Sequence, residues 1–390
     1  MIRRKFASFM VMVILLASLS SGCKKASPTE NTVSAPESTT TTESTTEETS
    51  ETTSETSVTT TATTTETEAP ETEDTTETEP SEPETEPSET SEKAPAETTP
   101  KETRETTPAT EPPSDGGILP PSGDYIDPKA IPPEITDPIE RLEYIRSCVI
   151  NNTAYYDSLD NNMKDTWCFQ RKSDHSQSGS YEYFRISDYN GFYINKNVSD
   201  GDKVIYLTFD CGYASNLTGD ILDILAAHNA KANFFVTKNY LQGCSGYAIR
   251  MKEEGHLVCN HTVSHSDLTN KSVEEIAAEI IDVAEYFYEV TGYQLDPYFR
   301  PPKGNYTKRM MTIISDCGYK TVFWSLAYND YDKNKQPEPG YVLDHFTKYH
   351  HNGAIALMHN DSTSNVSELD SVLTMLEQEG YRFGLLSEIG

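Results

Sequence analysis

The segment that most constrains the fold is residues 204–209, an unbroken run of apolar and β-branched residues that ends in Asp210, Cys211 and Gly212. Continuous apolarity, rather than alternation, is typical of a strand covered on both faces, as in a parallel sheet flanked by helices. Such sheets carry their chemistry at the carboxyl ends of the strands. Asp210 occupies that position, and Gly212 permits a sharp turn beside it. Because Asp-x-Gly is also common in ordinary turns, this segment alone leaves a structural interpretation open.

Strand-like and helix-like segments alternate after residue 200. The predicted strands cover residues 204–209, 232–237, 257–259, 298–300, 320–324 and 354–358. The predicted helices cover residues 217–228, 247–254, 273–291, 307–317, 341–350 and 367–379. The clearest helix opens with a capping box, Ser272 with Glu275, and ends at Gly292. Repeated β-α units of this length predict a parallel sheet, open or closed into a barrel.

The N-terminus has the features of a targeting signal. Basic residues precede an apolar run, residues 6–19, that is too short to span a bilayer. Small residues then precede Cys23, which resembles a bacterial lipobox, although Ser20 departs from its usual pattern. This resemblance implies that residues 1–22 are a lipoprotein signal peptide and that a lipid on Cys23 anchors the chain to the extracytoplasmic face of the cell membrane. Ordinary cleavage and release is the alternative.

Residues 26–117 are rich in Thr, Glu, Ser and Pro and contain almost no large apolar side chains. Such a composition cannot bury enough surface to offset the entropy of ordering, so residues 23–117 are predicted to be a disordered, extended linker. With 24 acidic and 3 basic residues, residues 26–117 hold most of the formal net charge of −31. The rest of the chain beyond the signal is acidic too, which argues against a nucleic-acid partner.

Residues 118–200 are predicted to be a proline-rich lead-in, a short helix at 138–150 and an aromatic segment that wraps onto the domain. The aromatic residues are Tyr155, Tyr156, Trp167, Phe169, Tyr181, Tyr183, Phe184, Tyr189, Phe192 and Tyr193. They could line a glycan groove or pack the segment against the domain, and packing is the commoner role of such residues.

Several polar residues follow the predicted strands. His261 and His265 are four residues apart, which would place them on one face of a helical turn where they could bind one cation. Arg300 begins a loop in which two prolines remove backbone donors, so Lys303 and Gly304 carry the first amide groups that an oxyanion site could use. A structural turn with Arg300 in a surface ion pair is the alternative for that loop.

Five short signatures together resemble the polysaccharide deacetylases of the NodB-homology type, carbohydrate esterase family 4. They are Thr208-Phe209-Asp210-x-Gly212, His261-x-x-x-His265, Arg300-Pro301-Pro302-x-Gly304, Trp324 with Asp330-Tyr331, and Leu357-x-His359. All five occur in the family's order. The resemblance implies that residues 201–390 form the catalytic domain, a distorted (β/α) barrel that removes N-acetyl groups from sugars with the help of a metal.

The resemblance also implies acid and base roles. Asp210 would be the general base that deprotonates water, and Arg300 would orient it and keep it ionised. His359 would protonate the departing amine, and Asp330 would favour the charged form of His359.

Metal and substrate contacts follow from the same resemblance. His261 and His265 would hold a divalent cation, with zinc as the expected ion, and the N–H of Lys303 would donate to the oxyanion. The residues that would contact the substrate are Leu357, Tyr331 and Trp324.

The sequence departs from the family pattern at two positions. Cys211 replaces the usual Asp metal ligand, and Tyr331 replaces a Trp. Cys211 is either a doubtful thiolate ligand that suits zinc or a small neutral residue beside a cation held by two histidines and water. A neutral residue at this position resembles the delta-lactam-forming, muramic acid de-N-acetylase branch, which implies peptidoglycan as the substrate. The chain is expected to be a monomer.

The sequence is also compatible with other functions. One is a catalytically silent glycan-binding surface lipoprotein, and another is a deacetylase acting on N-acetylglucosamine, chitin or xylan. A metal-dependent hydrolase of a different amide is a third. No pair of strand-end carboxylates indicates a glycosidase. Six cysteines follow Cys23, and because six allow fifteen pairings the sequence selects none.

Overall fold

The computed structural model describes residues 111–118, 123–162 and 166–389. The predicted signal peptide, Cys23 and the linker up to residue 110 lie outside the described residues. The end of the predicted linker, residues 111–117, contacts the folded domain: Tyr189 donates to Asp115 at 3.2 Å, and Lys308 pairs with the same carboxylate. Within the described residues, no helix has the length and apolarity needed to cross a membrane.

The described residues form eight α-helices. They are α1 (Pro138–Asn151), α2 (Thr153–Asp157), α3 (Leu217–Ala227), α4 (Lys238–Glu253), α5 (Val273–Thr291), α6 (Lys308–Asp316), α7 (Tyr341–Tyr349) and α8 (Thr363–Gln378). The capping box of α5 is present, and Gly292 ends this helix in the left-handed region, as its sequence predicted.

The same residues form eleven strands. They are β1 (Phe169–Gln170), β2 (Gly179–Ser180), β3 (Gly191–Phe192), β4 (Lys203–Cys211), β5 (Asn233–Val236), β6 (Leu257–Asn260), β7 (Asp296–Phe299), β8 (Lys320–Val322), β9 (Leu326–Ala327), β10 (Ala354–His359) and β11 (Tyr381–Phe383). β1 and β2 form a small antiparallel pair.

The other nine strands form one parallel sheet. Eight of them lie in the order β3-β8-β7-β6-β5-β4-β10-β9, and β11 pairs with the first part of β4. β4 is the central strand, and every residue from Val204 to Cys211 is buried. This burial explains the continuous apolar run, because one face of β4 packs in a cluster with α3 and α8, while Val204 and Tyr206 on the other face pack in a second cluster.

The aromatic segment completes the curled sheet. β3 pairs with β8, and two residues later Ile194 pairs antiparallel with Ala354 at the start of β10. The Asn195 amide donates to the carbonyl of Gly353 at 2.9 Å. The segment before residue 200 is therefore part of the barrel wall, and the predicted distorted (β/α) barrel is confirmed.

Most aromatic residues of this segment are buried. The buried ones are Tyr156, Trp167, Phe169, Phe184, Tyr189 and Tyr193. The Trp167 ring, for example, stacks on Phe323 with 4.5 Å between ring centroids. The packing interpretation therefore holds for five of these six residues, and Trp167 both packs on Phe323 and lines a cleft.

Some elements differ from the sequence prediction. α4 begins at Lys238, nine residues before the predicted start, with a non-helical backbone at Cys244. The short strands β1, β2, β3, β9 and β11 were not predicted, because two or three residues carry no detectable periodicity.

Gly353 is the tightest point of the barrel closure. Its φ is +83°, and a Cβ atom there would lie 2.2 Å from the carbonyl oxygen of Asn195. Gly380 has the same φ of +83°, with nothing within 4 Å of a Cβ. We expect both Gly→Ala variants to lose the roughly 1–2 kcal/mol that a left-handed backbone costs a residue with a Cβ. Gly353→Ala should lose about 1–3 kcal/mol more, because the Asn195 segment must move.

The measurement is urea unfolding of both variants alongside the unmodified chain. Equal free energies of unfolding for Gly353→Ala and Gly380→Ala would show that the contact with Asn195 does not constrain the barrel.

Candidate active site

The carboxyl ends of the central strands open into one cleft. It is lined by Thr166, Trp167, Asp210, His265, Pro301, Lys303, Trp324, Tyr331, Leu357 and His359. Asp210 and His359 occupy partner positions on the neighbouring strands β4 and β10. The structure therefore brings most of the sequence-predicted site residues to a single place.

Asp210 forms a buried ion pair with Arg300. The carboxylate Oδ1 accepts a hydrogen bond from Arg300 Nη1 at 2.7 Å, and His261 Nε2 lies 3.4 Å from Oδ2. Burial alone would raise the pKa of Asp210, but the charge and hydrogen bond of Arg300, together with the nearby histidines, outweigh burial and hold this pKa below its ordinary value. Asp210 is therefore ionised at neutral pH.

Arg300 is held rigidly from several sides. Its side chain has no exposed surface, which rules out the surface ion pair considered above. Besides Asp210, Nη1 donates to Thr208 Oγ1 at 2.8 Å, and Nε donates to the carbonyl of Val322 at 3.3 Å. The guanidinium also lies 4.1 Å from the ring centroid of Phe235. This packing fixes the direction from which Arg300 reaches the carboxylate.

His261 and His265 lie close together, but on a loop rather than the predicted helical turn. Their ring centroids are 4.9 Å apart. The backbone at Thr262 and His265 has positive φ, 72° and 58°, which a helical turn would not allow.

Glu279 on α5 holds this loop in place. Its carboxylate accepts hydrogen bonds from the amides of Val263 and Ser264 at 3.0 and 2.9 Å, and from the hydroxyl of Ser266 at 2.8 Å. These long-range bonds replace the i to i−4 bonds of a helix, which is why the His-x-x-x-His spacing gave the wrong local structure.

Both imidazoles are suited to binding a cation. His261 Nδ1 lies 2.8 Å from the carbonyl oxygen of Arg300, an acceptor, so Nδ1 carries the proton and Nε2 has the free lone pair. Burial lowers the pKa of His261, and it lowers that of His265 to about 3. Neutral imidazoles are the form that ligates metals, so these two residues fit a divalent cation.

Cys211 does not join them. The residue is fully buried in the apolar core, does not line the cleft, and has its Sγ 3.7 Å from the carbonyl oxygen of Phe209. Burial raises the pKa of this thiol well above its ordinary value, so the metal-binding thiolate is strongly disfavoured. The described residues contain no group of three or more His, Cys, Asp or Glu side chains arranged to hold a metal. The position of Cys211 therefore favours the second interpretation, in which it is a neutral core residue.

His359 has the opposite charge state from the other two histidines. Its Nδ1 lies 2.7 Å from Asp330 Oδ1, and its backbone amide donates to Asp330 Oδ2 at 2.8 Å. Burial alone would lower the pKa of His359, but the charge and hydrogen bond of Asp330 raise it to about 9. His359 is therefore protonated at neutral pH and can act as an acid.

The proline-stiffened loop contains two candidate amide donors, those of Lys303 and Gly304. Lys303 has a φ of 60° and Gly304 a φ of 69°. The Gly304 amide donates to the carbonyl of Pro301 at 3.1 Å, whereas no hydrogen bond in the described part of the chain uses the Lys303 amide. Of the two candidate donors, Lys303 is thus the one that remains available.

The residues expected to contact the substrate also line the cleft. Two residues of the N-terminal segment join them: Thr166, which the sequence analysis did not single out, and Trp167, which it named only among the aromatic residues that could line a glycan groove. Leu357, Trp324 and Tyr331 form part of the wall, and the Tyr331 ring lies 5.9 Å from that of His359. Thr166 and Trp167 from the N-terminal segment complete it, with Trp167 Nε1 donating to the Trp324 carbonyl at 2.9 Å. Aromatic richness was the only sequence signal for Trp167.

An ionised carboxylate, a protonated imidazole, two neutral imidazoles and an available amide at the ends of parallel strands define a hydrolase site. The chain belongs to the polysaccharide deacetylase family. Residues 197–322 match the model of this family, described as polysaccharide deacetylase.

Two curated relatives and one solved structure illustrate the similarity. Peptidoglycan-N-acetylmuramic acid deacetylase PdaA of Bacillus subtilis is 36% identical over 225 residues, 57% of this chain and 84% of the relative. Peptidoglycan-N-acetylglucosamine deacetylase of Bacillus cereus is 31% identical over 202 residues, 50% of this chain and 92% of the relative. The structure of Bacillus subtilis PdaA, described as a family 4 carbohydrate esterase, matches with a TM-score of 0.55 and 36% identity over 58% of this chain and 96% of that one.

The buried ion pair makes a prediction about stability. Arg300→Met should lower the free energy of unfolding by about 3–5 kcal/mol, because Asp210 would remain buried without its charged partner. The double variant Asp210→Asn with Arg300→Met removes both charges and should recover part of that loss. Urea unfolding at neutral pH measures both. If the double variant were no more stable than Arg300→Met, the cost would come from lost packing and not from an unpaired charge.

Proposed function

We propose that this chain removes the N-acetyl group from muramic acid residues of peptidoglycan. Family membership supports a deacetylase, and the 36% identity to a relative named for this substrate supports muramic acid. The observation that carries the proposal is the pairing of Asp210 with His359 at one cleft. A carboxylate with a lowered pKa and an imidazole with a pKa of about 9 form the base and the acid that amide hydrolysis requires.

In the proposed reaction, Asp210 takes a proton from a water molecule that attacks the acetamide carbonyl carbon. Arg300 keeps Asp210 ionised and fixes its direction. The oxygen of the tetrahedral intermediate accepts a hydrogen bond from the Lys303 amide. His359 then gives its proton to the nitrogen as the C–N bond breaks, which releases acetate and leaves an amino group on the sugar.

His261 and His265 would hold a divalent cation, and water would complete its coordination. Such a cation, when bound, polarises the carbonyl and lowers the pKa of bound water. Zinc is the ion proposed here because neutral imidazoles suit it well.

The proposal places the enzyme on the extracytoplasmic face of the cell membrane. Its support is the sequence alone: the lipobox-like segment before Cys23 and the long acidic linker after it. A lipid anchor followed by an extended linker would let the cleft reach the cell-wall glycan.

A second candidate substrate is N-acetylglucosamine of the same polymer. The 31% identity to the Bacillus cereus relative, 92% of which is covered, supports it. A silent glycan-binding protein is less well supported, because binding alone requires neither a base nor an acid of this kind.

The decisive experiment is acetate release from N-acetylated peptidoglycan glycan, with mass spectrometry of the products to locate the free amine on muramic acid or glucosamine. We expect release from muramic acid, and a loss of about 100-fold or more in kcat for Asp210→Asn. Glycan binding without acetate release by the unmodified chain would support the silent binder.

The same assay should show a defined pH dependence. The rate requires ionised Asp210 and protonated His359, so kcat/KM should stay level through neutral pH and fall as pH rises through about 9, where His359 loses its proton. On the acid side it should fall only where Asp210 gains a proton, below the ordinary carboxyl range. Asp330→Asn should move the alkaline fall to lower pH, and an unmoved fall would contradict the assignment of His359 as the acid.

Zinc affinity separates the two interpretations of Cys211. His265→Ala should weaken zinc binding by about 10-fold or more, because it removes one of two imidazole donors, whereas Cys211→Ala should leave it unchanged. Competition with a chromogenic chelator measures both variants, after circular dichroism has shown that each is folded. A comparable loss in Cys211→Ala would make the thiol a ligand after all.

A further inference from the structure

Asn365 lies in the first turn of α8, is 1% exposed, and does not line the cleft. Its Nδ2 donates to Asp330 Oδ2 at 2.6 Å and to the backbone carbonyl of His359 at 3.1 Å. Its Oδ1 accepts a hydrogen bond from the Tyr328 hydroxyl at 2.8 Å. One buried amide thus connects both members of the His359–Asp330 pair.

Asp330 depends on these donors because it has no contact with solvent. Oδ1 is taken by His359 Nδ1, and Oδ2 accepts from the His359 amide and from Asn365. Among the described residues, these are all the hydrogen bonds to the carboxylate. A buried carboxylate oxygen that loses such a donor is left without a partner and away from water, which is costly.

We propose that Asn365 is a positioning residue for the acid: it orients Asp330 so that both carboxylate oxygens face His359, and thereby fixes the His359 ring. This inference rests on the proposed acid role of His359. Asn365 acts through Asp330 and does not itself touch the reacting atoms.

The chemistry of the position favours a neutral amide. Asp330 and the carbonyl of His359 require a donor, whereas the Tyr328 hydroxyl requires an acceptor, and asparagine supplies both from one side chain. The Tyr328 contact also settles the orientation of the amide, since a flipped side chain would face Tyr328 with its NH₂ group and Asp330 with its oxygen. An aspartate at position 365 would bring a second carboxylate against Asp330.

Other charged and titratable groups face His359, and they act from different elements. They are Asp210 on β4, Asp361 after β10, His261 and His265 on the loop after β6, and Tyr331 beside Asp330.

The two other acids are already paired with cations. Asp210 pairs with Arg300 at 2.7 Å, and Asp361 pairs with Lys333 at 3.1 Å. Asp330 is the only carboxylate that hydrogen-bonds His359 in the described part of the chain. A change at Asn365 should therefore reach His359 through Asp330.

The test is an NMR titration of His359 in the full chain, comparing the unmodified protein with Asn365→Leu. We expect the His359 pKa to fall by about one unit, since Asp330 without the Asn365 donor can turn away from His359 and would then interact with its charged form less strongly. In the acetate assay, kcat should fall about 10–100-fold with KM unchanged, and the alkaline fall in rate should move to lower pH by the same amount.

Ser364→Ala is the matched control. Ser364 is the neighbouring residue in the same helical turn, is 7% exposed, and donates to the carbonyl of Pro337 at 2.8 Å, away from Asp330. It should leave the His359 pKa and kcat unchanged. If Asn365→Leu does not fold, Asn365→Ser serves instead, because its shorter hydroxyl should not reach Asp330, and the same direction of change is expected.

An unchanged His359 pKa in a folded Asn365 variant would overturn the inference, as would an equal shift in Ser364→Ala. The titration needs no substrate, so the two proposals fail separately. Absence of acetate release with a shifted pKa would count against the proposed function and for the positioning role. Acetate release with an unshifted His359 pKa would support the proposed function and contradict the positioning role of Asn365.

Discussion

The buried pair of Arg300 and Asp210 is the interaction on which the site depends. Two charges without solvent are costly unless each has a well-placed partner and further hydrogen bonds. Arg300 meets this condition with donors to Thr208 and to the Val322 carbonyl, so it is tied to two other strands of the sheet. The pair therefore couples the position of the proposed base to the alignment of β4, β7 and β8.

Three histidines near this pair are in two charge states because their surroundings differ. His261 and His265 are desolvated, and burial outweighs the nearby charge of Asp210, so they stay neutral. His359 meets a fully buried carboxylate and becomes a cation. Histidine thus supplies both the cation-binding groups and the acid. The three residues can take these different roles because their surroundings give them different pKa values.

The sequence predicted the parts of this structure that rest on local signals. β4 was recognisable from its apolar run, and α5 from Ser272, Glu275 and Gly292. The histidine loop was wrong in conformation because its hydrogen bonds come from Glu279, more than ten residues away. The spacing of the two histidines does not indicate hydrogen bonds to a residue so far along the chain.

Cys211 and Asn365 differ in how far the sequence could have predicted their positions. The inward position of Cys211 could have been predicted, because consecutive strand residues point to opposite faces and Asp210 was assigned to the cleft. Asn365 could not, because a polar residue in the first turn of a helix looks like an ordinary capping residue. Its contacts with Asp330 and Tyr328 depend on the packing of α8 against the loop after β9.

Because Trp167 lines the cleft, the functional domain of this protein begins before the residues that match the family model. The family match begins at residue 197, yet one wall of the cleft comes from thirty residues earlier, and the barrel seam at Ile194 lies before the match as well. The residues upstream are thus a structural component of the enzyme and not a spacer that could be exchanged freely. Shortening the chain to the matched residues would therefore remove part of the cleft wall together with the strand pairing that closes the barrel.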